Sequence, residues 1–412
     1  MRRLKRIDDF IRRFARKHLL LIFIILACII KIYISYKFRK HINSDYSRYL
    51  SPWIEYIKAH GGFHALRDHF ANYSQPYLLF LVIVSKLPFY TLYSIKALSI
   101  AFDFVLAFVV QKIVGEFSTN HKKTKIFRSI AFIATLLLPT VLLNSAYWAQ
   151  CDVIYSTFAL TALYFLIRKK HLLSFIAYGV AITIKLQAIF ILPLFLIIYF
   201  KDKKISIAHF FIIPLTMIIL SIPSLLVGMP FSRIFTVYVE QSSQYPQMTS
   251  SMINFWKYMP RDYEVFSPIA FSVVFVLFAI IAIFYLKYNI KLTKLRIIDL
   301  ALTCVAICVY FLPSMHERYL FLGDVLSIAW AFAHFSKSNK HSLKALRYFL
   351  VPIGYELVSL FSYLAFLLRS QNEFNRICGC LIFTALVYYG IKSCLNTPIK
   401  QRKNKIALTK QS

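Results

Sequence analysis

The sequence predicts an all-α polytopic membrane protein, a bundle of about 12 transmembrane helices whose first outer loop carries an interfacial helix. Three observations predict it. Of 412 residues, 59% are hydrophobic and only 16% charged, a balance that ordinary soluble domains do not show. Apolar runs of roughly 15 to 25 residues recur along the whole chain; about 20 helical residues cross a bilayer core, and lipid leaves backbone hydrogen bonds to be satisfied within the segment. Third, the Lys and Arg behind a formal charge of +32 stand in short clusters between those runs. In a soluble chain such a charge would point to nucleic acid; here it marks cytoplasmic loops, and no nucleic-acid partner is expected.

The chain opens on a basic stretch, Arg2-Arg3-Leu4-Lys5-Arg6 through Arg16-Lys17, that resembles the start of a signal peptide. The apolar run after it ends in Lys37-Phe38-Arg39-Lys40 with no small-residue cleavage site, so the first span is a retained anchor. The same stretch fits a helix lying on an anionic leaflet as well as a plain positive-inside tail. With the basic clusters inside, 1–18, 121–128, 168–171, 201–204, 287–296, 337–347 and the tail 395–412 are cytoplasmic, and both termini with them. The spans between are 19–36, 91–114, 128–147, 153–167, 172–184, 187–200, 206–228, 265–286, 297–313, 319–335, 346–368 and 377–394. Two of them, 172–184 and 187–200, are too short to cross upright and form a hairpin turning at Lys185-Leu186-Gln187, as broken helices do where they line a cavity. Residues 76–89 read as a partly embedded helix feeding the second span.

Outer loops are 37–75, 229–264 and the short charged Pro313-Ser314-Met315-His316-Glu317-Arg318. In the first, Ser51-Pro52 starts a helix that puts Trp53, Ile54 and Ile57 on one face and stops at Gly61-Gly62, which is the expected interfacial helix. No repeat, linker or low-complexity tract divides residues 1–412, so a single membrane domain is expected. The seven Cys lie in or beside apolar runs without His at metal spacing and read as packing.

Only 17 residues are acidic, which makes each one on the outer side or in a span informative. Asp45, in Asn43-Ser44-Asp45-Tyr46 just after the first span, reads as a general base for an attacking hydroxyl, or as a solvated loop Asp. The cluster Trp148-Ala149-Gln150-Cys151-Asp152 between two apolar spans suggests a sugar platform, with Trp148 stacking on the ring and Gln150 and Asp152 bonding hydroxyls. The alternative makes Trp148 an interface-belt residue and Asp152 a helix cap. Lys185 and His316-Glu317-Arg318 would put positive charge at the outer boundary, where Arg and Lys can hold a lipid-linked phosphate. Lys96 and Asp103 are expected to pair with other helices, and Asp299 to be a helix N-terminal charge.

In order along the chain, Ser44-Asp45-Tyr46 to Trp53, Asn72-Tyr73-Ser74-Gln75-Pro76-Tyr77, Trp148-Ala149-Gln150-Cys151-Asp152, Ile184-Lys185-Leu186-Gln187-Ala188 to Pro193, Asn254-Phe255-Trp256 and Met315-His316-Glu317-Arg318-Tyr319 resemble glycosyltransferases of the GT-C superfamily. Within it they are similar to bacterial relatives of the second mannosyltransferase of glycosylphosphatidylinositol assembly. Gln75-Pro76 stands where many relatives have two prolines, and Cys151 occupies a variable position. The resemblance implies a GT-C-like bundle in the plasma membrane and a sugar, mannose-like, carried on a polyprenyl phosphate. It implies transfer on the outer face; the mechanism expected there is an inverting displacement with Asp45 as base, to a glycan or lipid acceptor that the chain itself does not specify. Tyr46, Trp148, Gln150, Asp152, Lys185, His316, Glu317 and Arg318 would then contact substrate, Arg318 and His316 meeting the leaving phosphate; Asp45 and Asp152 could instead share a divalent metal. Membrane lipids complete the expected partners. Heavy Lys, Ile and Phe usage fits an AT-rich bacterial genome.

A transporter or flippase of lipid-linked glycans has a similar span count, but it should carry ionisable groups at the midplane and matching halves. A membrane acyltransferase would need a His deep in a span. A polysaccharide polymerase also works on lipid-linked glycans, with Arg-rich outer loops, whereas 229–264 holds only Arg233 and Arg261.

Overall fold

The computed structural model describes residues 2–118, 120–338, 343–369 and 372–396. The expected tail beyond 396 and residues 339–342 of the basic segment 337–347 lie outside the described residues, as do the side chains of 2–13, 15, 16, 343 and 344. Helix α1 (Arg2–Phe38) runs unbroken from the basic start through the first span. A π-helical turn, Tyr46–Leu50, leads into α2 (Ser51–Ala59), which Pro52 opens and Gly61 and Gly62 end at φ of 75° and 64°, angles that glycine adopts without strain. The expected helix of the first loop is therefore present, with Ile54 and Ile57 buried against protein. Helix α3 (Gln75–Lys86) is the expected short helix at 76–89. Ser74 at its start bonds the carbonyl of Ile184, and Lys86 at its end lies beside Gly62, so both ends stay on the side of the bundle that carries α2.

Helix α4 (Thr91–Gly115) and α5 (His121–Leu136) follow, then α6 (Pro139–Leu142) with a π-helical turn, Leu143–Tyr147. The chain bends 48° between α5 and α6, where Pro139 cannot donate a helical hydrogen bond. Next come α7 (Asp152–Ile167), α8 (His171–Ile184) and, after extended Lys185 and a 3-10 turn Leu186–Ile191, α9 (Leu192–Lys201). Helix α10 (Ala208–Leu226) packs on α8 at Gly179, where a Cβ would stand 2.8 Å from Thr216 Cβ. The second large loop holds α11 (Arg233–Ser243); α12 (Tyr263–Lys287), α13 (Lys294–Phe311), α14 (Phe321–Lys337), α15 (Leu350–Leu367) and α16 (Glu373–Cys394) complete the chain.

A helix stands at each expected span, and the class is all-α and membrane-embedded. The lengths are uneven: among the described residues six helices are long and apolar enough to cross, or seven if the bent pair counts as one span, rather than twelve. The 14 residues of α8 rise about 21 Å, short of a bilayer core of roughly 30 Å.

Several charges inside the bundle are paired or hydrogen-bonded, although among the described residues the buried carboxyls of Asp324 and Glu356 meet only Ser359 and Thr140. Lys31 and Asp103 form a fully buried ion pair at 2.5 Å, and Lys96 donates to the carbonyls of Phe38 (2.7 Å) and His41 (2.8 Å) at the C-terminal end of α1. Asp299 is not a helix-end charge: it accepts Trp330 Nε1 at 2.8 Å and His334 Nε2 at 2.7 Å, tying α13 to α14. The basic loops meet at one end of the bundle, where Glu116 pairs with Lys294 (2.6 Å) and Arg168 (3.7 Å). Asp45, Asp152, Lys185 and Arg318 gather at the other.

Candidate active site

Local backbone devices aim each group. Tyr46 N–H donates to Asn43 Oδ1 at 2.9 Å, and the Asn43 amide donates to the carbonyl of Trp148, so the turn after α1 is locked to the loop between α6 and α7. Tyr46 and Leu50 are buried, which leaves Asp45, Arg48 and Tyr49 on the open face of the turn. In the facing loop, Ala149 takes a left-handed φ of 61°, a strained conformation for a residue with a Cβ. The kink lets both flanking side chains reach one carboxylate: Asp45 Oδ2 accepts Trp148 Nε1 at 3.1 Å and Gln150 Nε2 at 2.6 Å. Ser99 holds the carbonyl of Gln150 at 2.7 Å. Asp45 Oδ1 accepts no hydrogen bond among the described residues.

Asp152 sits at the N-terminus of α7, where the helix dipole favours a carboxylate. Its two oxygens take Lys185 Nζ and Asn144 Nδ2, the latter at 2.9 Å. Lys185 reaches it because α8 ends one residue earlier and packs against α7. The loop 312–320 is stitched to the second large loop by Ser250 N to Met315 O (3.0 Å) and Ser314 N to Gln247 O (2.9 Å). This fixes Arg318, whose Nη1 lies 3.2 Å from Glu317 Oε1 and 3.5 Å from Asp45 Oδ2, with Nε 3.8 Å from Asp152 Oδ2. The guanidinium also sits over the Trp148 ring at 5.5 Å.

Three carboxylates, Asp45, Asp152 and Glu317, thus surround two cations, Lys185 and Arg318. Burial works against the charge of Arg318, yet Glu317, Asp152 and Asp45 hold its pKa above the ordinary value. Burial pushes the Glu317 carboxyl up while Arg318 pulls it down. Burial, then Arg318 and Lys185, push His316 down to about 3, so its imidazole is neutral at physiological pH. His316 can donate a hydrogen bond there but brings no positive charge, contrary to the expectation of a cationic trio.

A cavity of about 920 Å³ opens beside this network. Of the nine expected site residues it is lined by Asp45, Gln150, Lys185, His316 and Arg318. The other four stand behind it. Tyr46 is buried and its hydroxyl bonds Thr91 at 2.9 Å. Trp148 is fully buried, with Phe366 stacked on it at 5.0 Å and Arg318 near the ring, so neither face can carry a sugar. Asp152 and Glu317 are fully buried and spent on Lys185, Asn144 and Arg318. A metal shared by Asp45 and Asp152 does not fit either, because Arg318 lies between them; among the described residues no three His, Cys, Asp or Glu cluster as a metal site.

The cavity also has a lining that sequence reasoning missed. Trp53, half-buried and flanked by Tyr49 at 5.9 Å and Tyr73 at 5.8 Å, gives the aromatic wall that Trp148 does not. Read as part of an interfacial face, Trp53 gave no sign of this in the sequence. Asn72, Gln241 and Gln244 add amides, joined by Asn72 Nδ2 to Gln244 Oε1 at 2.6 Å. Arg48 lies one turn beyond Asp45, a spacing that could have flagged it. Farther in, Phe271, Val274, Phe275, Phe278, Ala279 and Ala282 of α12 line the cavity at helical spacing over about 16 Å, opposite Leu196 and Phe200 of α9. Phe275 and Phe271 are 75% and 55% exposed and belong to a helix long and apolar enough to cross a membrane, so this half of the cavity is open and apolar.

Fold and site together define an integral membrane protein with a carboxylate-arginine network at one end and a cavity lined by polar loops on one side and apolar helix faces on the other. The chain belongs to glycosyltransferase family 87, whose family model matches residues 70–314, and it is accordingly a membrane glycosyltransferase. The match takes in Trp148, Gln150, Asp152 and Lys185 and stops just before His316; Asp45 precedes it. No curated protein matches the chain.

Proposed function

We propose that the protein transfers a hexose, mannose-like, from a polyprenyl-phosphate donor to a glycan or lipid acceptor on the outer face of the membrane, with inversion. The observation that carries this reading is Asp45: one oxygen is held by Trp148, Gln150 and Arg318, the other is left for a ligand in a cavity that continues as an apolar groove. An acceptor hydroxyl gives its proton to Asp45 Oδ1 and its oxygen attacks the anomeric carbon as the bond to phosphate breaks. Donors fixed on Oδ2 orient the base at no reorganisation cost in the transition state. The exposed apolar stripe on α12, a candidate membrane span, suits an isoprenoid chain entering from the bilayer. Aromatic Trp53 and the amides of Asn72, Gln241 and Gln244 suit a neutral sugar. The basic loops at the far end of the bundle favour placing that end in the cytoplasm and the site outside.

The experiment is to offer purified protein in nanodiscs a panel of polyprenyl-phosphate sugars and follow donor consumption with and without glycan acceptors. Consumption of one sugar, abolished in Asp45→Asn, supports the proposal. Consumption of none, together with flux of lipid-linked glycan across liposomes, replaces it with the flippase reading.

A further inference from the structure

We infer that Arg48 is the cation that holds the phosphate of the lipid-linked donor, an inference that rests on the polyprenyl-phosphate reading above. A phosphate entering the cavity needs a positive partner, and the two cations of the central network are already committed. Lys185 pairs with fully buried Asp152, and Arg318 is shared among Glu317, Asp45 and Asp152. With three carboxylates around two cations, an anion placed against that network meets net negative charge, and pulling either cation toward it would strand a buried carboxylate. His316 adds only a neutral donor.

Arg48 differs on each count. It lines the same cavity, is exposed, and forms no ion pair or hydrogen bond among the described residues. It projects from the turn Tyr46–Leu50, three residues after Asp45 and on the same open face, so base and phosphate partner are delivered by one element. The turn is anchored by the Asn43 bridge to Trp148 and by the buried Tyr46 and Leu50, which holds both side chains on one fixed element. A guanidinium can engage two phosphate oxygens at once. In the transfer step the acceptor proton goes to Asp45 Oδ1, the acceptor oxygen bonds C1, and the C1–O electron pair leaves on the phosphate oxygen. The polyprenyl phosphate so formed gains a negative charge beside Arg48. Separation of roles follows: Arg318 holds the base, Arg48 holds the leaving group.

The test uses the full chain in nanodiscs, with Arg48→Gln and Arg48→Lys against wild type. Binding of polyprenyl phosphate, of the matching polyprenol without phosphate, and of phosphatidylglycerol is measured alongside donor and acceptor KM. Arg48→Gln is expected to weaken polyprenyl phosphate binding and raise donor KM by about tenfold or more, with Arg48→Lys between, and with polyprenol binding, acceptor KM and melting temperature unchanged. Wild-type affinity of Arg48→Gln for polyprenyl phosphate overturns the assignment alone. An equal loss for phosphatidylglycerol makes Arg48 a general headgroup contact and also overturns it. Failure of the wild-type protein itself to bind polyprenyl phosphate overturns the donor reading, and the assignment with it.

Discussion

Arg318 Nη1 lies 3.5 Å from Asp45 Oδ2, and these two residues, 273 positions apart in the chain, define the site. The contact is long for a hydrogen bond, so its effect is mainly electrostatic: the guanidinium sets a positive charge beside Asp45 while Trp148 and Gln150 fix its direction.

A general base that cannot take a proton stops the reaction without disturbing the fold. Asp45→Asn keeps the size of the side chain, and transfer should fall by about 100-fold or more. Initial rates of sugar transfer, with thermal unfolding measured alongside, decide it; a well-folded variant at near wild-type rate removes Asp45 from the chemistry.

Arg318 serves three carboxylates through a planar fork that lysine does not possess. Arg318→Lys should therefore lose kcat by roughly tenfold to 100-fold while donor KM changes little, since Arg318 positions the base. Separate kcat and KM measurements test this. A donor KM effect with kcat intact would assign Arg318 to the phosphate instead.

The Lys185–Asp152 pair is almost wholly out of solvent, with side-chain exposures of 7% and 0%. Removing Lys185 leaves the buried Asp152 carboxylate with only Asn144 and, at 3.8 Å, Arg318, so Lys185→Met should destabilise by up to about 3 kcal/mol. Adding Asp152→Asn should restore part of the loss. Urea unfolding of the single and double variants gives the coupling, and strict additivity would mean that the pair contributes no mutual stabilisation.

His316 is held neutral down to about 3, below its ordinary 6.5, whereas the unfolded chain protonates it near 6.5. Between those values the unfolded state binds more protons, so stability falls as pH falls through that window. His316→Gln should flatten the slope. Melting temperatures of both proteins at pH 7.5 and pH 5 are the check, and an unchanged difference between the two pH values would exclude His316 as the source.

Trp53 and Trp148 should separate cleanly. Trp53→Ala removes an open aromatic face and should raise KM for a sugar substrate by up to about tenfold at unchanged stability. Trp148→Phe deletes the N–H that Asp45 accepts and should lower kcat. The opposite pattern would return the sugar platform to Trp148.

Much of this protein was legible in the chain. Apolar run length and basic clusters are local quantities, and a bilayer acts on them directly, so the all-α membrane class and a helix at each expected span followed from composition and order. The short hairpin at Lys185 followed from length. Scarcity of acidic residues singled out Asp45, and polar or basic groups at the boundary of apolar spans singled out Gln150, Lys185, His316 and Arg318. The sequence could not say which side of each loop faces the cavity. That depended on the 48° bend at Pro139 and the left-handed Ala149, which turn Trp148 into the core and Gln150 toward Asp45. It also depended on counting charges in space: only when Asp152, Glu317, Lys185 and Arg318 are brought together is it apparent that they neutralise one another. Burial and pairing are properties of neighbours distant in sequence, and so tertiary structure alone made His316 neutral, took Tyr46 and Trp148 out of the cavity, and left Arg48 and Trp53 in it.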